Sequence, residues 1–131
     1  GAARAAARAY AQAGLGRDDV DLLGIYDSFT ITLALLLEEL GFAPRGGAAG
    51  RVRAGDFGLT GALPLNPHGG LLSFGHSGVA GGLAHVAEVV LQLRGQAADR
   101  QVRRATTALV HGDGGVLSSH VSLLFSNRGP A

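Results

Sequence analysis

Asn66-Pro67-His68-Gly69-Gly70, followed by Gly75-His76-Ser77-Gly78 and then Gly81-Gly82, is the stretch on which the reading of this chain turns. It puts one histidine, His76, at the mouth of a helical segment and surrounds it with residues that carry no side chain. Glycines on both sides let a ligand approach the backbone closely. A helix start presents unpaired N–H groups to developing negative charge. The same position favours a neutral imidazole, the form that accepts a proton. An incidental loop histidine has no need of so many glycines.

Outward from this stretch, the periodicities outline a fold. Downstream, Val79, Leu83, Val86, Val90 and Leu93 recur at steps of three and four. That spacing predicts an amphipathic helix over Ser77 to Arg94, closed by Gly95. Upstream, Pro44 to Phe74 shows no period and reads as a long loop, a feature that is usually functional or disordered in compact domains. Before it, Leu22 to Tyr26 reads as a buried strand after an acidic turn. A helix from Thr30 to Leu40 follows, with Ser28 or Thr30 as its cap and Gly41 as its stop. That helix is apolar nearly all round and is expected to be largely buried. Alanine-dense Ala2 to Ala13 predicts a helix ended by Gly14 and Gly16. Near the end, Ala105 to His111 and Val116 to Phe125 flank Gly112-Asp113-Gly114-Gly115, a hairpin signal. The order predicts one α/β domain over residues 1–131, a mixed sheet layered with helices.

Composition narrows the function classes. Apolar residues make up 47% of the 131, and there is no Cys, Met or Trp. A thiolate metal site, a disulfide framework and an in-chain cysteine nucleophile are therefore excluded. The 22 glycines cluster between periodic segments and mark sharp bends. The net charge is +1 and every basic residue is Arg. Arg51/Arg53 and Arg103/Arg104 are too dispersed for a nucleic-acid footprint. They read as solvated surface, with contact to a CoA phosphate as the alternative. The Ala/Arg-rich start lacks a signal-peptide core, and no stretch is long and apolar enough to cross a membrane. An intracellular, cytoplasmic location is the expectation, and the missing initiator Met points to a processed or excised chain.

Two further segments carry candidate chemistry. Tyr26-Asp27-Ser28-Phe29 closes the predicted strand, where a rigid element positions polar groups. Asp27 or Ser28 as a helix cap accounts for part of it, but leaves the Tyr26 hydroxyl needing a partner or a substrate. His111-Gly112-Asp113-Gly114-Gly115 is weak alone, because Asp-Gly turns are often purely structural. His68, His76, His111 and Asp113 lack any established ligand spacing, so no metal is expected. His85, within the amphipathic helix, and His120, in the last strand, read as structural. No glycine cluster matches a nucleotide-binding pattern.

Taken in order, the three segments resemble the C-terminal half of the thiolase superfamily. The likeness is greatest to the branch of sterol-carrier-protein thiolases and bacterial lipid-transfer-protein aldolases. That half carries Asn-Glu-Ala-Phe (His-Asp-Cys-Phe in the sterol-carrier branch), then Asn-x-x-Gly-Gly with Gly-His-Pro-x-Gly, then Cys-x-Gly-Gly-Gly. Here they read Tyr26-Asp27-Ser28-Phe29, Asn66-x-x-Gly69-Gly70 with Gly75-His76-Ser77, and His111-Gly112-Asp113-Gly114-Gly115. The resemblance covers nearly the whole chain. It implies a fold of two similar halves, each with a five-stranded mixed sheet, and an active site between them. The missing N-terminal half would then supply the nucleophile, and a homodimer is usual. No cofactor is implied, a CoA thioester being the substrate.

Carried across, His76 matches the histidine that activates the nucleophile and binds the thioester oxygen. Tyr26 falls where the family places Asn or His to polarise the substrate carbonyl. His111 falls where thiolases place the second cysteine, the α-proton acid/base, and Ser77 replaces a proline. Asn66, Gly69, Gly70, Gly75 and Gly114 are the corresponding substrate-binding candidates. Two chemistries compete: retro-aldol cleavage of a 3-hydroxyacyl-CoA and thiolysis of a 3-oxoacyl-CoA. The absent cysteine and the tyrosine favour the aldolase, as in lipid and steroid side-chain degradation. That branch implies an acyl-CoA-binding OB-fold partner of the DUF35 type. A non-catalytic acyl-CoA-binding or assembly module is the third reading. The isolated chain is expected to be inactive, and either to self-associate or to aggregate.

Overall fold

The computed structural model describes residues 1–129. Three strands form one mixed sheet: β1 (Leu22–Ile25), β2 (Thr107–Gly114) and β3 (Ser119–Ser126) lie in that order. β1 runs parallel to β2, with Leu23 opposite Leu109 and Ile25 opposite His111. β2 and β3 form an antiparallel hairpin. A parallel bridge between Leu23 and Leu65 adds the stub of a further strand outside β1. The five-stranded sheet implied by the resemblance is thus not complete among the described residues.

Helices cover both faces: α1 (Ala2–Ala13), α2 (Thr30–Glu39), α3 (Ala48–Arg53), α4 (Gly70–Ser73) and α5 (Gly81–Leu93). The alternation of a strand assigns the two cores. Leu23, Ile25 and Leu109 join Ala2, Ala6 and the α2 leucines Leu36 and Leu37 on one face. Leu22, Ala108 and Val110 meet Val89 of α5 on the other. All four residues of β1 are buried. Each Leu or Ile so covered contributes about 1.5–3 kcal/mol. α1 ends as expected, with Gly14 left-handed at φ 65 and its N–H returned to the Tyr10 carbonyl. No helix among the described residues is long and apolar enough to cross a membrane.

Several expectations need correction. The stretch Pro44 to Phe74 is no structureless loop, since it holds α3, α4 and the Leu65 bridge. α2 begins at Thr30 as predicted, but its N-cap is Phe29 and no side chain bonds the first turn. Nor is α2 buried all round: Ile31 is 64% and Leu35 44% exposed. The hairpin turns at Gly115 to Ser118, three residues later than the Asp-Gly signal suggested, because Gly112 to Gly114 continue in ladder register with Val121, His120 and Ser119. The new turn holds Val116 and Leu117 at φ 54 and 61.

α5 departs furthest from the pattern. A turn of 3-10 helix (Gly78–Ala80) precedes it, so the α-helix starts at Gly81. Its buried face carries His85, Glu88, Val89 and Gln92, while Val79 and Leu83 stand 110% and 66% exposed. Polar partners explain the rotation. Glu88 accepts from Arg100 Nη2 at 2.9 Å, and Gln92 bonds the Arg100 carbonyl and the Val102 N–H at 2.7 and 2.8 Å. Buried polar groups tied in this way are tolerated. Gly24 completes the account, because a Cβ there would stand 3.3 Å from both His85 and Val89.

Candidate active site

Tyr26 and His76, fifty residues apart, meet at the C-terminal end of β1. The Tyr26 hydroxyl lies 2.7 Å from His76 Nε2. The N–H of Tyr26 donates to the His111 carbonyl at 2.9 Å, which extends the β1–β2 ladder by one residue and anchors the tyrosine on the sheet. Alternation turns its ring towards α5, where it rests edge-on against His85, centroids 6.3 Å apart, and near Gly82. The same ring meets His76 edge-on at 5.9 Å. His76 itself is exposed, two residues ahead of the 3-10 turn rather than at the first turn of α5.

Hydrogen-bond direction sets what this dyad can do. The Gly78 N–H donates to His76 Nδ1 at 3.0 Å. A neutral ring with its proton on Nε2 satisfies both contacts, so Nε2–H donates to the Tyr26 oxygen. The Tyr26 hydroxyl proton is then free to point away from the imidazole towards a bound oxygen. The arrangement offers a phenol that can give or take a proton and an imidazole N–H that holds the resulting oxyanion.

His111 is not brought to this dyad. Its register with Ile25 puts its ring on the α1 face, opposite to Tyr26, and it is fully buried. Its Nδ1 lies 2.8 Å from the Ser122 hydroxyl and its Nε2 3.2 Å from His120 Nδ1. His120 Nε2 in turn lies 3.0 Å from the Leu117 carbonyl, an acceptor only. One direction of donation therefore runs from Ser122 through both rings to that carbonyl, and no lone pair on His111 is left over. Burial, then the like charge of His120, pushes the His111 imidazole down to about 4.

Asn66 and the glycines serve the backbone. Asn66 Oδ1 accepts the Ile25 N–H and its Nδ2 donates to the Ile25 carbonyl, both at 2.8 Å. The side chain thus mimics one more residue of the stub strand beside β1. Gly70 is needed because a Cβ would lie 2.0 Å from Asp27 Oδ2, and Gly69 adopts φ 102. Gly75, at φ 130, has open space around it and gives the chain the turn that delivers His76. Gly114 sits in β2 opposite Ser119. Of the arginines, Arg51 is committed to Asp56 at 2.6 Å and to the Phe42 carbonyl.

Sequence reasoning missed the ground beneath the dyad. Asp27 caps α4 rather than α2: its Oδ1 accepts the Leu71 N–H at 2.8 Å and its Oδ2 the Leu72 N–H at 3.4 Å. His85, 1% exposed, places Nε2 3.4 Å from the same carboxylate. Burial works to raise the Asp27 carboxyl, but the His85 contact and the Leu71 N–H outweigh it and hold it below the usual range. Gly24, opposite α5, was the available sign that something large approaches β1.

With this geometry in view, comparison with known proteins is decisive, since the description "Thiolase C-terminal domain-like" matches residues 1–127. The chain belongs to the thiolase C-terminal domain-like family. It is 40% identical over 120 residues to the acetyl-CoA acetyltransferase of Methanothermobacter thermautotrophicus, covering 89% of the chain and 31% of that protein. It is 44% identical over 107 residues to sterol carrier protein 2 of Rattus norvegicus, covering 82% of the chain and 20% of that protein. A solved structure, the Ltp2-ChsH2(DUF35) aldolase, superposes with a TM-score of 0.84 at 32% identity, over 97% of this chain and 32% of that one. The chain thus spans a fifth to a third of the length of these relatives.

Proposed function

We propose that this thiolase-like domain works, with an upstream half, as an acyl-CoA enzyme that cleaves a carbon–carbon bond by retro-aldol chemistry on a 3-hydroxyacyl-CoA. The Tyr26 hydroxyl first gives its proton up to solvent, and the resulting phenolate takes the proton of the β-hydroxyl. The Cα–Cβ bond breaks, its electron pair moves into the thioester as an enolate, and a ketone or aldehyde leaves. The new phenol then returns its proton to Cα. His76 holds the phenolate through Nε2–H and presents the same N–H to the enolate oxygen once Tyr26 is protonated.

The observation that carries this reading is the 2.7 Å Tyr26–His76 contact with His76 Nδ1 already occupied by Gly78. His111 supports it from the other side: a fully bonded imidazole on the opposite face is poorly placed to act as the α-proton base of thiolysis. The aldolase among the superposing structures agrees with this choice, and its printed partner makes a DUF35-type protein the partner we propose. A bulky, steroid-like acyl group and a cytoplasmic homodimer belong to the same reading. The likeness to an acetyl-CoA acetyltransferase keeps thiolysis as the second reading, with its nucleophile outside this chain.

The test uses the protein assembled with its upstream half, a 3-hydroxyacyl-CoA and no free CoA. Release of a carbonyl compound beside a shortened acyl-CoA is the expected result, and Tyr26→Phe should lower it by about 10²–10⁴-fold. Turnover only of a 3-oxoacyl-CoA, and only after CoA is added, would replace the aldolase with the thiolase.

A further inference from the structure

The Tyr26 ring meets two imidazoles edge-on, His76 at 5.9 Å and His85 at 6.3 Å between centroids. The segments carrying those imidazoles are fastened to one carboxylate. Asp27 is 3% exposed and accepts the first free N–H groups of α4, the helix that leads into the His76 loop. It also faces His85 of α5 at 3.4 Å. Neither nitrogen of His85 makes a hydrogen bond, so the charge contact with Asp27 is the polar tie its ring has. Its remaining ring neighbours are Tyr26 and His68, with the His68 centroid 5.1 Å away. The fit around the carboxylate is close enough that Gly70 has no room for a side chain.

Helix capping alone explains only half of this. A four-residue helix needs no buried carboxylate, and α2, the helix next to Asp27 in sequence, makes no use of it. The second half of the arrangement is the imidazole, which brings α5 to the same anchor beside the tyrosine. We propose that Asp27 and His85 form a buried positioning pair that sets the Tyr26–His76 dyad in its reactive geometry. The inference rests on the reading of Tyr26 and His76 as the acid/base pair. Asp27 and His85 act as positioning residues, by fixing the two imidazoles that the Tyr26 ring contacts. Displacing a reacting group by about 1 Å costs on the order of 100-fold in rate.

The experiment uses the enzyme assembled with its upstream half and three variants: Asp27→Asn, His85→Phe and the double variant. Asparagine keeps an acceptor for Leu71, and phenylalanine keeps a ring against Tyr26. The double variant removes the charge and its partner together, so it folds even where His85→Phe alone leaves a buried carboxylate uncompensated. Two readouts are taken: kcat and KM on the 3-hydroxyacyl-CoA, and the ring ¹⁵N signals of His76. The expected result is a kcat about 100-fold lower with KM within about threefold. The His76 signals should pass from a single Nε2–H tautomer to an averaged pair, and the double variant should lose no more than the worse single one. Variants that melt earlier but keep wild-type kcat and an unmixed Nε2–H signal would reduce the pair to scaffolding and overturn the proposal. The nitrogen signals also separate the two ideas. If Tyr26→Phe leaves turnover intact, the acid/base reading fails, whereas an unmoved His76 signal in the Asp27 and His85 variants condemns the positioning pair.

Discussion

Replacing Asn66 with alanine separates a substrate contact from a structural one. The side chain makes two buried hydrogen bonds to the backbone of Ile25, each 2.8 Å, and the residue is 8% exposed. Asn66→Ala leaves one N–H and one carbonyl of β1 without partners. Each buried group stranded in this way costs about 1–3 kcal/mol. Water entering the vacated space recovers part of that, so a net loss of about 2–4 kcal/mol is expected. Asn66 also sits at φ 46, a region asparagine tolerates better than alanine, which adds to the loss. Two assays apply to the protein assembled with its upstream half. Hydrogen exchange should show the Ile25 amide losing protection while Leu109 on β2 keeps most of its own. Thermal melting should fall by about 10 °C. KM for the acyl-CoA, measured well below the melt, should stay within about twofold, because an interaction that never touches substrate cannot contribute to its binding. A variant with wild-type stability and a strongly raised KM would refute the reasoning and return Asn66 to the substrate.

Two further outcomes follow from the hairpin. His111 is neutral and buried, with a folded value of about 4 against 6.5 unfolded. The unfolded chain therefore takes up the proton first, so stability is full above pH 6.5 and falls by about 3 kcal/mol as pH drops towards 4. Urea midpoints at stepped pH should show the fall, His111→Gln should flatten it, and a wild-type midpoint constant from pH 7 to 5 would sink the assignment. At the tip, Val116 and Leu117 occupy left-handed conformations while exposed. Asn-Gly in their place should stabilise the protein by about 1–2 kcal/mol, read as a higher melting temperature with unchanged turnover, and a lower melt would contradict the strain argument.

How far the sequence led differs from element to element. Helices α1 and α2 and strand β1 were legible because period, glycine stops and short apolar runs act locally. The burial of α5 was not, because its inward face is decided by partners far along the chain: Gly24 on β1, and Arg100 and Gln101 beyond the helix. Its exposed Val79 and Leu83 misled the pattern in the same way, since periodicity reports an apolar stripe without saying what lies against it. The hairpin was found but not its turn, because ladder register outweighed an Asp-Gly signal. In the site, Tyr26 and His76 stood out by residue type, and the fold supplied what a linear chain hides, their contact across fifty residues. His111 was singled out on the same grounds as His76. Strand alternation, invisible without the register, put it on the other face. Asp27 was read as a cap and is one, for a helix more than forty residues away.

Gly24 touches neither Tyr26 nor His76, yet it sets the separation between the sheet and α5. With His85 and Val89 both 3.3 Å from where a methyl would be, any side chain there acts as a wedge. His85 and Val89 would have to give by a few tenths of an ångström, which shifts the root of the imidazole that faces Tyr26 and Asp27. A search for altered turnover that looks only at residues lining the cleft would pass over this position. A single added carbon, two residues before the phenol, would thereby reach the dyad through the packing of α5 alone.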